Sequence, residues 1–339
     1  MPGTLRLKNV DIVLENETKV FNFGENVHGL LRIDFKGELP LTNLQIGVVC
    51  MSKIKHADET FDQKKLLENF YQLPKSVASQ VLRTGVHEIP FRFALPDSSE
   101  SPPTFDGRYG AINYFVECII EVEELHRTGL EIKIESPVKS NLLLTVSGSS
   151  EKDLGLFCIG SGSVTIEATI DRKGYLPGET IQLKTFINNM TTLKVQPRAT
   201  LYQTQIFMTG DRHRTLELVL GEPSYGNEVE PNEVAEEVIE ITIPARAQLT
   251  MKSNIITVKY FVHVTLDIPQ NKDLHINLQF VVTNKAAILE AQQAFAEALE
   301  GLEERFRARE ERRTKKRLGS GSGSKNSSFG SNKDVAGAD

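Results

Sequence analysis

Apolar residues recur at every second position along most of this chain. Val10, Ile12 and Leu14 alternate with mostly polar neighbours, and so do Val164, Ile166 and Ala168. Successive side chains of a strand point to opposite faces, so this alternation predicts strands buried on one side. The stretch GAINYFVECIIEV (110–122) sets Ile112, Tyr114, Val116, Cys118, Ile120 and Val122 on one face. IITVKYFVHVTLDI (255–268) does the same with Val258, Tyr260, Val262, Val264, Leu266 and Ile268. Shortly before each comes another strand ending in proline, HEIPFRFALP (87–96) and EVIEITIP (237–244).

These matches keep one order, which predicts an internal duplication. GYLPGET (174–180) reads as a type II β-turn, with Pro177 presetting φ and Gly178 tolerating the positive φ of the next position. VFNFGENVHG (20–29) echoes it, with Gly24-Glu25 over Gly178-Glu179 and Phe21 over Tyr175. Many short strands and little helical period before residue 284 predict an all-β fold of two tandem immunoglobulin-like β-sandwiches. The expected limits are 1–148 for the first sandwich, a linker over 149–160 rich in small polar residues, and 161–284 for the second. The turn glycines are expected to carry the turns. Glu179, taken as solvated, is expected to accept Gln at little cost.

After Asn284 the period changes to that of a helix, expected over 285–318 with Asn284 as its cap. Ile288, Gln292, Phe295, Leu299, Leu302 and Phe306 share one face, and Glu303 and Arg307 make a favourable i,i+4 pair. Arg312, Arg313, Lys315, Lys316 and Arg317 crowd the end, where positive charge suits the helix dipole. Phe295, Leu299, Leu302 and Phe306, with these five basic residues, are the candidate partner- or lipid-binding residues. In one reading the first turns pack on the second sandwich and the rest is solvated. In another the stripe pairs with a further helix while the basic end meets anionic lipid. A nuclear-import signal is a third. Residues 319–339 read as a disordered tail.

Composition narrows the classes. The net charge of −6 over 339 residues argues against wholesale nucleic-acid binding. No apolar run approaches membrane-spanning length, and the first residues lack the apolar core of a signal peptide. Three cysteines, Cys50, Cys118 and Cys158, suit a reducing compartment, and the expected location is cytoplasmic. Cys50 and Cys118 read as core, and His263 reads as facing away from it. The seven histidines show no metal-ligand spacing, and no nucleophile elbow, phosphate loop or dinucleotide fingerprint occurs. No catalytic site, cofactor or metal is implied. Asp211-Arg212-His213-Arg214 reads as a loop tip. The acidic stretch from Thr215 to Ala245, without Lys or Arg, reads as a solvated hairpin edge with Val234, Val238 and Ile241 facing inward.

With both copies in view, the chain resembles the arrestin fold, and within it the α-arrestins or arrestin-domain-containing proteins. FGENVHG and SPPTFDGRYGAINYFVE carry this in the first half. GSVTIEATIDRKGYLPGETIQLKTFINN and VKYFVHVTLDIP carry it in the second. The resemblance implies a non-enzymatic cytoplasmic adaptor, recruited to plasma membrane or endosomes. It would bind cytoplasmic parts of membrane proteins and direct their trafficking, endocytosis or ubiquitination. Two features depart from the family. Many α-arrestins recruit ubiquitin ligases through Pro-Pro-x-Tyr after the second domain, but Pro102-Pro103 here precedes Thr104-Phe105 inside the first. The thioredoxin-binding member uses a second-domain cysteine, and this chain has none after Cys158. A retromer-type coat subunit of the same fold, an enzyme on a β scaffold and an extracellular adhesion sandwich are the rival readings.

Overall fold

The computed structural model describes residues 6–41, 44–55, 59–72, 80–97, 101–121, 124–155, 161–210 and 212–319, with side chains in the final helix to residue 313. The first compact unit runs to Ile288 and the second begins at Leu289.

The first sandwich is built from β1 (Arg6–Leu14), β2 (Val20–Asn22), β3 (Asn26–Pro40), β4 (Leu44–Lys55), β5 (Phe61–Gln72), β6 (Val81–Ala94), β7 (Phe105–Gly107), β8 (Gly110–Glu121) and β9 (Leu125–Glu135). One sheet has the order β1-β3-β6. The other is β2-β9-β8-β4-β5, with β7 added on β8. The second sandwich holds β10 (Val146–Leu154), β11 (Gly162–Ile170), β12 (Gly174–Tyr175), β13 (Thr180–Thr191), β14 (Gln196–Thr209), β15 (Arg212–Val219), β16 (Ser224–Tyr225), β17 (Glu233–Thr242), β18 (Met251–Lys252), β19 (Ile256–Asp267) and β20 (Leu274–Val282). Its sheets are β10-β11-β13-β17 and β12-β20-β19-β14-β15, with β16 on β14 and β18 on β19.

The duplication is therefore topological. β1-β3-β6 recurs as β11-β13-β17, and β2-β9-β8-β4-β5 recurs as β12-β20-β19-β14-β15. Even the parallel pairings repeat, β2 with β9 and β12 with β20. Tyr114 and Tyr260 stand at matching places on β8 and β19, and both are fully buried. Around them Ile112, Val116, Cys118 and Ile120, and Val258, Val262, Val264, Leu266 and Ile268, are buried as the alternation predicts. Val122 lies outside the described residues. Each such side chain removed from water stabilises the fold by about 1.5–3 kcal/mol.

The two glycine turns also coincide. Gly24 has φ 77° and Gly178 φ 86°, values that a β-branched residue adopts only under strain. Glu179 departs from expectation. Its carboxylate accepts from the Leu176 backbone N–H at 2.7 Å and from the Arg172 guanidinium at 3.0 Å, so it closes the turn. Glu25 does the same in the first copy, accepting from the Asn22 backbone N–H at 2.9 Å.

Three further expectations need correction. The segment expected as a linker over 149–160 is strand as far as Leu154, paired along β11 from Val146–Ile170 to Leu154–Gly162. Gly148, just before that segment on the same strand, serves packing: a Cβ there would sit 2.7 Å from Ile276. Residues 156–160, including Cys158, lie outside the described residues. Arg212-His213-Arg214 opens β15 and is not a loop tip, while Asp211 lies outside the described residues. On β17, Val234 and Val238 are 51% and 52% exposed, while Ile239 and Ile241 are buried. Period two allows one parity inside, and the isoleucines occupy it.

Helix α1 spans Lys285–Gly319. The Asn284 side-chain oxygen accepts from the Ala287 N–H at 3.0 Å, the expected cap. Ala287 and Ile288 are buried. Gly319 closes the helix, and the rest of the expected tail lies outside the described residues.

Candidate functional site

The matching segments of the two sandwiches that carry β7 and β18 approach one another. The Gln248 side-chain amide donates to the Asp106 carbonyl, joining one sandwich to the other. Behind it runs a buried polar chain. The Tyr260 hydroxyl donates to the Gln248 carbonyl at 2.6 Å, Gln203 donates to that hydroxyl at 2.6 Å, and Gln205 donates to Gln203 at 2.7 Å. Burial pushes the Tyr260 hydroxyl up to about 12, ahead of the opposing hydrogen bonds, so it stays a neutral donor.

An aromatic wedge supports the same junction. Phe207 of the second sandwich meets Phe105 and Tyr109 edge-on, with centroids 6.0 and 6.1 Å away. The Arg214 guanidinium lies 3.4 Å from the Tyr109 ring centroid. A Cβ on Gly110 would come within 3.0 Å of Phe207, so glycine admits the wedge. Thr283 donates to the Val138 carbonyl at 3.0 Å, and Asn284 donates to the Glu135 carboxylate at 3.0 Å.

Between these contacts opens a cleft of ≈ 950 Å³, lined by Lys19 and Lys133 of the first sandwich and by Arg246, Leu249 and Lys285 of the second half, among others. Its lining carboxylates are Asp106, Glu131 and Glu135, and the last two are engaged. Glu131 accepts from Asn113 at 2.9 Å, and Glu135 from Lys133 at 2.8 Å and from Asn284. Burial pushes the Glu135 carboxyl up, but the hydrogen bonds from Lys133 and Asn284 outweigh it and hold it below the usual range. Among the described residues no carboxylate pairs with Lys19, Arg246 or Lys285, so the rim presents cations without internal partners. Lys19 also holds φ 56°, an uncommon conformation for a non-glycine residue, fixed by its N–H donating to the Asn16 carbonyl at 3.1 Å. No histidine or cysteine lines the cleft among the described residues. Cationic rims, apolar floor and strand-end backbone can recognise an extended acidic segment.

The arrangement of two like sandwiches agrees with what comparison finds. The family described as "Arrestin (or S-antigen), N-terminal domain" matches residues 10–146, and "Arrestin (or S-antigen), C-terminal domain" matches 160–286. The chain belongs to the arrestin family, in its α-arrestin branch. Arrestin domain-containing protein 4 of Homo sapiens is 27% identical over 305 residues, which cover 82% of this chain and 71% of that protein. The Mus musculus protein of the same name is 26% identical, covering 82% and 72%. Thioredoxin-interacting protein of Sus scrofa is 20% identical, covering 84% and 76%.

In this α-arrestin the candidate residues from the sequence all lie on α1. Phe295, Leu299, Leu302 and Phe306 form an exposed row, and Arg312 and Arg313 are exposed. The side chains of Lys315, Lys316 and Arg317 lie outside the described residues. The Glu303–Arg307 pair forms at 3.9 Å. The cleft residues left no mark in the sequence, because Lys19 and Arg246 come from separate turns and Lys285 from the first position of α1. Pro102, of the Pro-Pro pair, is buried. Among the described residues no helix is long and apolar enough to cross a membrane.

Proposed function

We propose that this α-arrestin is a non-enzymatic cytoplasmic adaptor that holds an extended, acidic cytoplasmic segment of a membrane protein in the cleft between its two arrestin domains. The single observation carrying this is the rim of Lys19, Arg246 and Lys285, without carboxylate partners around an open groove. Recruitment to the plasma membrane or endosomes follows from the cargo. The adaptor then brings that cargo to endocytic or ubiquitination machinery.

Fluorescence anisotropy with acidic peptides from membrane-protein tails tests the reading. Lys19→Gln, Arg246→Gln and Lys285→Gln combined should weaken binding by about tenfold or more, and raised salt should weaken the parent's binding. Equal binding by parent and triple variant would overturn the cleft assignment.

A further inference from the structure

Helix α1 carries more than an extension of the second domain needs. It runs 35 residues, about 50 Å, and its burial ends within the first turn at Ile288. Beyond that, Phe295, Leu299, Leu302 and Phe306 are 54%, 46%, 47% and 64% exposed. Their steps of four, three and four residues are those of the a and d positions of a coiled coil. Gln292 continues the row towards Ile288. The row is narrow: Glu297, Glu300, Glu304 and Arg307 occupy the flanks and back of the same turns, which suits a helical partner and not the broad apolar face that lies in a bilayer.

The charge along the helix selects the partner and its direction. Residues 285–304 carry five glutamates and one lysine, whereas residues 305–313 carry five arginines and two glutamates. A parallel pair would set like charge against like. An antiparallel pair centred between Leu299 and Leu302 sets residues 285–300, with three glutamates and one lysine, beside residues 301–316, with four glutamates, five arginines and two lysines. A net negative stretch then faces a net positive one, and a second copy of this chain supplies that complement. With the axis between Leu299 and Leu302, Leu299 of one copy faces Leu302 of the other, and Phe295 faces Phe306. Ala291, Ala296 and Ala298 beside the row are small enough to let the backbones approach.

We infer that α1 self-associates as an antiparallel two-helix coiled coil joining two copies of the protein. This stands apart from the cleft reading and survives its failure.

Sedimentation velocity of the full chain up to about 100 µM, where an interface of micromolar strength is populated, should show a monomer–dimer equilibrium. Leu299→Asp with Leu302→Asp should abolish the dimer while leaving the melting temperature of the β-sandwiches unchanged. Raising the salt should weaken it several-fold. Direction is read with a short bis-maleimide in a Cys158→Ser background. Ala291→Cys and Arg312→Cys copies should cross-link when mixed and not when separate, because 21 residues of helix, about 30 Å, part like positions in an antiparallel pair. A parent that stays monomeric throughout, a dimer indifferent to the aspartates, or cross-linking of each copy to itself would each overturn the inference. So would a monomeric parent that sediments with phosphatidylserine vesicles, which would assign the row to a membrane.

Discussion

The Tyr114 hydroxyl donates to the Pro102 carbonyl at 2.7 Å, twelve residues back across β7. Tyr260 repeats the bond to the Gln248 carbonyl at 2.6 Å, again twelve residues back. Thr104 and Thr250 repeat as well, their hydroxyls accepting from the Ile134 and Val282 N–H groups at 2.8 and 2.9 Å. The duplication therefore extends to single hydrogen bonds. Replacing either tyrosine by Phe removes a buried donor and should cost about 1–3 kcal/mol in denaturant unfolding. Tyr260→Phe should cost more than Tyr114→Phe, because it also strands Gln203 at the junction between the sandwiches.

Gly178→Val forces a β-branched side chain to positive φ and should cost about 1–3 kcal/mol. Glu179→Gln weakens the ion pair with Arg172 and the acceptor for Leu176 N–H, and should cost about 1 kcal/mol. Thermal melts check both. An unchanged melting temperature for the Gln variant would show that the carboxylate does not hold the turn.

The buried Pro102 cannot enter a WW-domain groove, since its carbonyl and ring are committed to the core around Tyr114. A pull-down with isolated WW domains should be blank. Micromolar binding would show that another segment serves as ligand.

Burial pushes the Cys50 thiol up to about 11 and the Cys118 thiol up to about 12, so neither forms thiolate near neutrality. Iodoacetamide at neutral pH should leave both unmodified in the folded protein and label both in denaturant, as peptide mass spectrometry would read. Rapid labelling of either in the native state would contradict the packing.

Glu135 titrates below its ordinary value of 4.5 in the folded protein. A depressed carboxyl contributes stability that is present above the unfolded pKa and lost as pH falls through the folded one. Melting temperature should therefore decline below about pH 4.5, and Glu135→Gln should flatten that part of the decline. An identical acid profile in the variant would remove Glu135 from the account.

The sequence by itself determined what is local or periodic. Alternation fixed the cores around Tyr114 and Tyr260, two positive-φ glycines marked the repeat, and a change of period with an Asn cap located α1. These signals survive because each depends on neighbours within a turn or a strand. The tertiary structure decided the rest. A Ser- and Gly-rich segment became strand β10 because β11 offered backbone partners and Ile276 left room only for Gly148. Ile239 and Ile241 took the inner face of β17 from Val234 and Val238 through its pairing with β13. Lys19, Arg246 and Lys285 met around one cleft because the sandwiches dock through Gln248, Phe207 and Asn284. Contacts between residues so distant in the chain have no period, and only the folded chain brings them together.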